Sequence, residues 1–195
     1  MSWRFFFRAL AEDIPFEEIV DELKDFDERF IMILRKHIAV LGWWCLLNFV
    51  SGVVGLFLTE GFWWYFFLMN ISWAVINFLV VVWIFNHVFF RKFTKGKVVI
   101  RLRVQYHMEK MLFANVGLDL AYIFCGLFFY ALSKNPELSY PELWAGFGVS
   151  IFLQGIYLFF QDNVFHQMHL RNFKKARPFI ESLMETQNSI QSIKN

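Results

Sequence analysis

The chain is predicted to be an all-helical integral membrane protein, with four transmembrane helices at about 38–58, 62–86, 111–132 and 143–161 and amphipathic cytoplasmic helices at both termini. Three observations lead there. Hydrophobic residues make up 57% of the 195 residues and charged residues 18%, against roughly a quarter charged in soluble domains, and the mean hydropathy is +0.42. Four apolar runs each reach the length needed to cross a hydrocarbon layer of about 30 Å at ~1.5 Å per residue. The 27 Phe and eight Trp suit a surface of acyl chains with aromatic rings at the headgroups. A net charge of +2 supplies no argument for nucleic acid. The expected division is 1–37, a helical interfacial segment; 38–162, the four-helix membrane domain; and 163–195, a helical tail.

The opening MSWRFFFRAL places Trp3, Phe6, Phe7 and Leu10 on one helical face and Arg4 and Arg8 on the other, an interfacial pattern. Asp13, Pro15, Glu17 and Glu18 are helix-start signals. Ile19, Leu23, Phe26, Phe30 and Ile33 then recur at helical spacing. That helix is expected to lie along the membrane or against its own bundle, or to dock a partner.

Ile38 to Leu58 carries no charge and follows Arg35 and Lys36. A connection over 59–61 leads to the second uncharged stretch, which opens with Trp63, Trp64 and Tyr65, rings suited to the far interface. Between Arg91 and Lys110, Ile100, Leu102, Val104 and Tyr106 alternate with Arg101, Arg103 and Gln105, a period that predicts a short extended piece. Arg91, Lys92, Lys95, Lys97, Arg101 and Arg103 are candidates for anionic lipid headgroups, at about 1 kcal/mol each near the surface, or simply keep the loop cytoplasmic. The third span follows, then a connection broken by Pro136 and Pro141, the fourth span, its polar continuation over 161–175, and a last segment restarted by Pro178. Cys45 and Cys125 sit at different depths in apolar runs and are expected to pack rather than pair.

Lys and Arg collect in the middle connection and after the fourth span, at Arg171, Lys174, Lys175 and Arg177; the other two connections hold only Lys134. The positive-inside rule therefore puts both termini on the cytoplasmic side.

The polar residues inside the runs are the anomaly. Asp119 shares a helical face with Asn115, Tyr122 and Gly126. The first span presents Trp44, Asn48, Gly52 and Gly55, the second Asn70, Ala74 and Asn77, and the fourth Ser150 and Gln154 beside Gly148 and Gly155. Small residues let helices approach and carboxamides bond across them, so a shared polar layer near the midplane is expected. No Lys or Arg lies in any span. A buried Asp119 must then be hydrogen-bonded by carboxamides or protonated. It is either part of a register-fixing polar core or a proton or cation relay. The first and third spans also match at a constant offset, Leu41 with Leu112, Asn48 with Asp119, Gly55 with Gly126, which suggests a duplicated two-span unit. Asp162, His166 and His169 fall on one stripe and are a candidate metal set.

The motifs LGWWCLLN, MNISWAVIN, NVGLDLAYIFCGL and GFGVSIFLQGIYLFFQD, across about 38–162, resemble a family of small bacterial four-span membrane proteins of unknown function. Asn48, Asn77, Asn115, Asp119, Gln154 and Asp162 fall on its motif positions, Gln161 departs from it, and His166 and His169 lie outside. The resemblance implies a topology and a polar layer; it brings no activity. The expectation is a non-enzymatic accessory or assembly component of a bacterial cytoplasmic membrane without a cofactor, which associates with itself or a membrane partner through its cytoplasmic helices. The alternative is a small ion-coupled carrier or conduit using Asp119.

Overall fold

The computed structural model describes residues 20–89 and 98–194, with side chains over 25–86, 104–179 and at 181. These residues form four α-helices: α1 (Val20–Leu58), α2 (Gly61–Phe89), α3 (Val98–Leu132) and α4 (Pro141–Lys194). All four are long and apolar enough to cross a membrane. Successive helices run antiparallel because the connections at one end are short, and α4 packs against each of the other three.

The turns explain themselves locally. The Thr59 amide and hydroxyl both donate to the Gly55 carbonyl, at 3.0 Å and 2.8 Å, which closes α1. Gly61 then takes φ +58°, the left-handed conformation a glycine adopts without steric cost. The Glu142 carboxylate lies against Gly61 at the start of α2, where the helix dipole favours negative charge. After α3, Asn135 Oδ1 accepts from the Glu137 amide at 3.0 Å, and Pro141 opens α4 in the first position, where its missing N–H costs nothing.

Burial along α4 follows heptads. Gly148, Gly155, Asp162, His169 and Ala176 recur every seven residues, as do Ile151, Leu158, Phe165 and Asn172, and all are buried. On α3, Gln105, Leu112, Asp119 and Gly126 keep the same repeat. A seven-residue repeat makes helices wind around each other with a left-handed twist. At the end nearer the short connections the seam is glycine. A Cβ on Gly126 would fall 2.5 Å from the Phe152 nitrogen, and one on Gly148 2.6 Å from the Tyr130 nitrogen. Gly146 meets the α2 backbone at Phe62 and Phe66, and Gly55 meets the Phe67 ring. Toward the other, basic end the seam widens, filled by Phe26, Phe30, His37, Phe165 and His169.

Several expectations change. The basic segment is helical from Val98 onward, not extended. Its alternation of apolar and basic residues is overridden because the third span simply continues through it, burying Gln105 against α4. The N-terminal apolar stripe is coaxial with the first span in one 39-residue helix, and Phe26, Phe30 and Ile33 are buried in the bundle. Pro178 sits inside α4 and does not restart it; it is exposed, so the carbonyl it leaves without an N–H partner faces outward. Cys45 is buried but Cys125 faces outward, and both are free. The interfacial pattern of the first ten residues lies outside the described residues. The offset between first and third spans pairs positions of like burial: Leu41 with Leu112, Asn48 with Asp119, Gly55 with Gly126.

Candidate functional site

The buried polar side chains form a column along the inner face of α4. Its centre is Gln154, which is 2% exposed. Gln154 Oε1 accepts from Trp44 Nε1 at 2.7 Å, and its Nε2 donates to Asn48 Oδ1 at 2.5 Å and to Asn70 Oδ1 at 3.3 Å. Ser150 Oγ donates to Asn70 Oδ1 at 2.6 Å, and Asn48 Nδ2 turns back to the Trp44 carbonyl at 2.8 Å. Trp44 is also stacked on Tyr157, with ring centroids 3.6 Å apart. One carboxamide thus ties α1, α2 and α4 together at a single level. Asn48 is ten residues from Leu58 and ten from Ile38, about 15 Å each way at ~1.5 Å per residue. The lock therefore lies at the centre of the apolar length.

Asp119 is buried at 3% exposure, with its own carbonyl close to Gly155. The expected amide donors do not reach it: Asn48, Asn70 and Gln154 bond one another, and Asp119 Oδ2 has no hydrogen-bond partner among the described residues. The physical reason is that Gln154 is already saturated by Trp44 and Asn48 on the α1 side. Asn77 is buried with Nδ2 unpartnered. Asn115 is half-buried, and Tyr122 packs edge-on against Trp73 with centroids 4.8 Å apart. The structure thus joins Asn48, Asn70 and Gln154, and leaves Asn77, Asn115, Asp119 and Tyr122 outside that hydrogen-bonded set.

Below the lock, toward the basic end, Asp162 Oδ1 lies 3.4 Å from His37 Nε2, both buried, and His37 stacks on Phe165 at 4.4 Å. Asp162 therefore faces α1 and not its own helical neighbours. His169 is fully buried against the edge of Phe30, at 5.1 Å, while His166 is half-buried beside Phe113. No group of three His, Cys, Asp or Glu placed to hold a metal occurs among the described residues. The metal set Asp162, His166 and His169 is corrected accordingly. Stripe spacing brought these residues to one helix, but packing sent each to a different neighbour.

The column ends in two further contacts. Gln105 Nε2 donates to Glu109 Oε1 at 2.7 Å and to the His169 carbonyl at 3.1 Å. Asn172 Nδ2 donates to the Phe26 carbonyl at 3.1 Å and its Oδ1 accepts from Arg29 Nε at 2.8 Å. His37, Gln105 and Asn172 were not expected from the sequence, although His37 continues the Phe26, Phe30, Ile33 stripe by one more step of four. Of the headgroup candidates, Arg91, Lys92, Lys95 and Lys97 lie outside the described residues, and Arg101 and Arg103 lie on α3 with side chains outside them.

Fold and site together define an all-helical bundle of four membrane-length helices with a polar column on its inner axis. The chain belongs to DUF6992, a family of unknown function, whose model matches residues 40–163. It matches no curated protein and no solved structure. The family segment covers the lock, Asp119 and Asp162, and stops short of the helical extensions at the basic end.

Proposed function

We propose that this is a multi-pass protein of a bacterial cytoplasmic membrane, with both termini cytoplasmic, and that it is a non-enzymatic accessory or assembly component. The observation that carries this reading is surplus helix at one end. The helices α1, α3 and α4 are 39, 35 and 54 residues long, so at ~1.5 Å per residue they extend about 20–50 Å past a layer of about 30 Å. The surplus of all three falls on the basic side, since their other ends coincide at Leu58, Leu132 and Pro141. Among the described residues the result is a stalk whose inner face is packed, with Phe26, Phe30, Ile33, Gln105, Phe165 and Asn172 buried, which leaves its outer face as a contact surface. By the positive-inside rule the stalk is cytoplasmic.

Photocrosslinkers at the exposed stalk positions Glu28, Met32 and Lys174 are expected to give adducts with one recurrent membrane-complex component. Crosslinkers at the outward positions Val54 and Phe124 are expected to give none. Release of the protein from native membranes, at native levels, without any stoichiometric companion overturns the reading.

The conduit reading rests on a separate observation: among the described residues Asp119 Oδ2 has no hydrogen-bond partner, and neither do atoms of Gln161, His37 and His169 that follow it. Such atoms favour ordered water. Against it, every buried polar side chain described lies at the lock or on its basic side. Toward the far end the seam is Gly52, Gly55, Gly126, Gly146 and Gly148, so the polar path stops at Ser150. Proton flux in liposomes that Asp119→Asn abolishes would revive the conduit.

A further inference from the structure

A second feature adjoins the basic end of the column, on the flank of the stalk between α1 and α4. A pocket of about 250 Å³ is bounded by Arg29, Lys36, Arg171 and Lys175, with Met32, Ile33, Met168 and Asn172 completing its wall. Four basic residues from two helices border it, its inner surface is mostly apolar, and among the described residues Lys36, Arg171 and Lys175 pair with no carboxylate. Arg29 is held in place through Asn172 at 2.8 Å, and its outer nitrogen touches Asp25 at 3.5 Å on the rim. An anion bound among basic residues gathered on one flank would relieve their mutual repulsion.

Depth identifies the kind of anion. Counting from the lock at Asn48 and Gln154, Lys36 lies about 18 Å and Met168 about 21 Å toward the basic end, with Arg171 a turn further, at ~1.5 Å per residue. A bilayer is about 40–45 Å thick including headgroups, so the inner end of the pocket, at Lys36 and Met168, meets the phosphate layer, while Arg29 and Lys175 stand about 28–32 Å out at ~1.5 Å per residue, beyond it. The apolar residues of the wall, Met168, Ile33 and Met32, lie about 21–24 Å from the lock at ~1.5 Å per residue, level with the headgroups. We infer that this pocket binds the phosphate headgroup of an anionic phospholipid, docked on the basic face of the stalk. Basic pockets between helices at the cytoplasmic face bind lipid headgroups in this manner. The inference rests on the membrane reading above.

The test uses the full chain purified in detergent and titrated with phosphatidylglycerol, phosphatidylcholine or inorganic phosphate, read by native mass spectrometry and by melting temperature. One phosphatidylglycerol is expected to be retained per chain in preference to phosphatidylcholine, and millimolar inorganic phosphate is expected to give no comparable protection. The triple variant Lys36→Gln, Arg171→Gln, Lys175→Gln is expected to weaken retention by about 100-fold, at roughly fivefold per charge near the surface, with its melting temperature in phosphatidylcholine unchanged. The control Lys134→Gln, at the other end of the bundle, is expected to change nothing. Equal retention of the two lipids, full retention by the triple variant, or equal protection by inorganic phosphate each overturns the inference. Carbonate extraction of native membranes tests the membrane reading separately: a chain that stays in the pellet yet shows no lipid preference defeats this inference alone.

Discussion

Gln154→Leu removes the hub of the interior without changing its volume much. The substitution leaves Trp44 Nε1 without its acceptor at 2.7 Å and Asn48 Oδ1 without its donor at 2.5 Å. Asn70 Oδ1 keeps its bond from Ser150 at 2.6 Å, so the loss of the weaker 3.3 Å contact should count for little. Hydrogen bonds between helices in a membrane average about 0.6 kcal/mol and reach about 1.7 kcal/mol. Two lost bonds therefore predict a destabilisation of about 1–3 kcal/mol. The measurement is unfolding of the full chain in bicelles by SDS titration or steric trapping, followed by tryptophan fluorescence. Adding Asn48→Leu removes the group that the first change stranded, so the double variant should cost clearly less than the sum of the singles. A Gln154→Leu protein within about 0.5 kcal/mol of the parent, or strictly additive singles, would refute the argument that this carboxamide ties α1 to α4.

Four other outcomes follow from the same geometry. Gly126→Ala must push the α3 and α4 backbones apart and is expected to cost about 1–3 kcal/mol, whereas Gly117→Ala, with nothing within 4 Å, should be neutral or slightly stabilising; equal effects in the unfolding assay would contradict the glycine seam. Gly61→Ala places a side chain at φ +58° and is expected to lose about 1–2 kcal/mol, read in the same assay. Asp119→Asn, at a buried carboxylate oxygen with no partner among the described residues, breaks no hydrogen bond of that oxygen and should not destabilise the bundle in the unfolding assay, with proteoliposome proton flux at the lipid background for parent and variant alike. Single cysteines at Asn135 and Lys174 in a cysteine-free chain should react oppositely with an impermeant maleimide, Asn135→Cys from outside intact cells and Lys174→Cys only after permeabilisation. Labelling of both from the same side breaks the topology.

The helix ends at Leu58 and Leu132 and the antiparallel order were readable in advance, because they depend on local runs: apolar length, the breakers Pro136 and Pro141, and short connections. The polar faces of the first, second and fourth spans were readable for the same reason, since a period of 3.6 assigns Asn48, Asn70 and Gln154 to inward positions. What misled was each pattern whose outcome depends on a neighbour. The alternation over 100–106 looked like a strand until α4 offered a surface for Gln105. The stripe of Asp162, His166 and His169 looked like a ligand set until α1 brought His37 to Asp162.

By itself, then, the chain's order of residues determined how many apolar runs of membrane length there are and which side chains turn away from oil, because hydrophobic length and helical period are properties of one segment, while how far each helix continues past its run was decided by packing against α4. Only the tertiary structure decided which polar groups meet. A buried amide or acid has several candidate partners at equal depth, and the choice falls to helix register and to how closely the glycine seams let backbones approach. That is why Gln154 bonds Trp44 and Asn48 while Asp119, at the position matched to Asn48, stands apart.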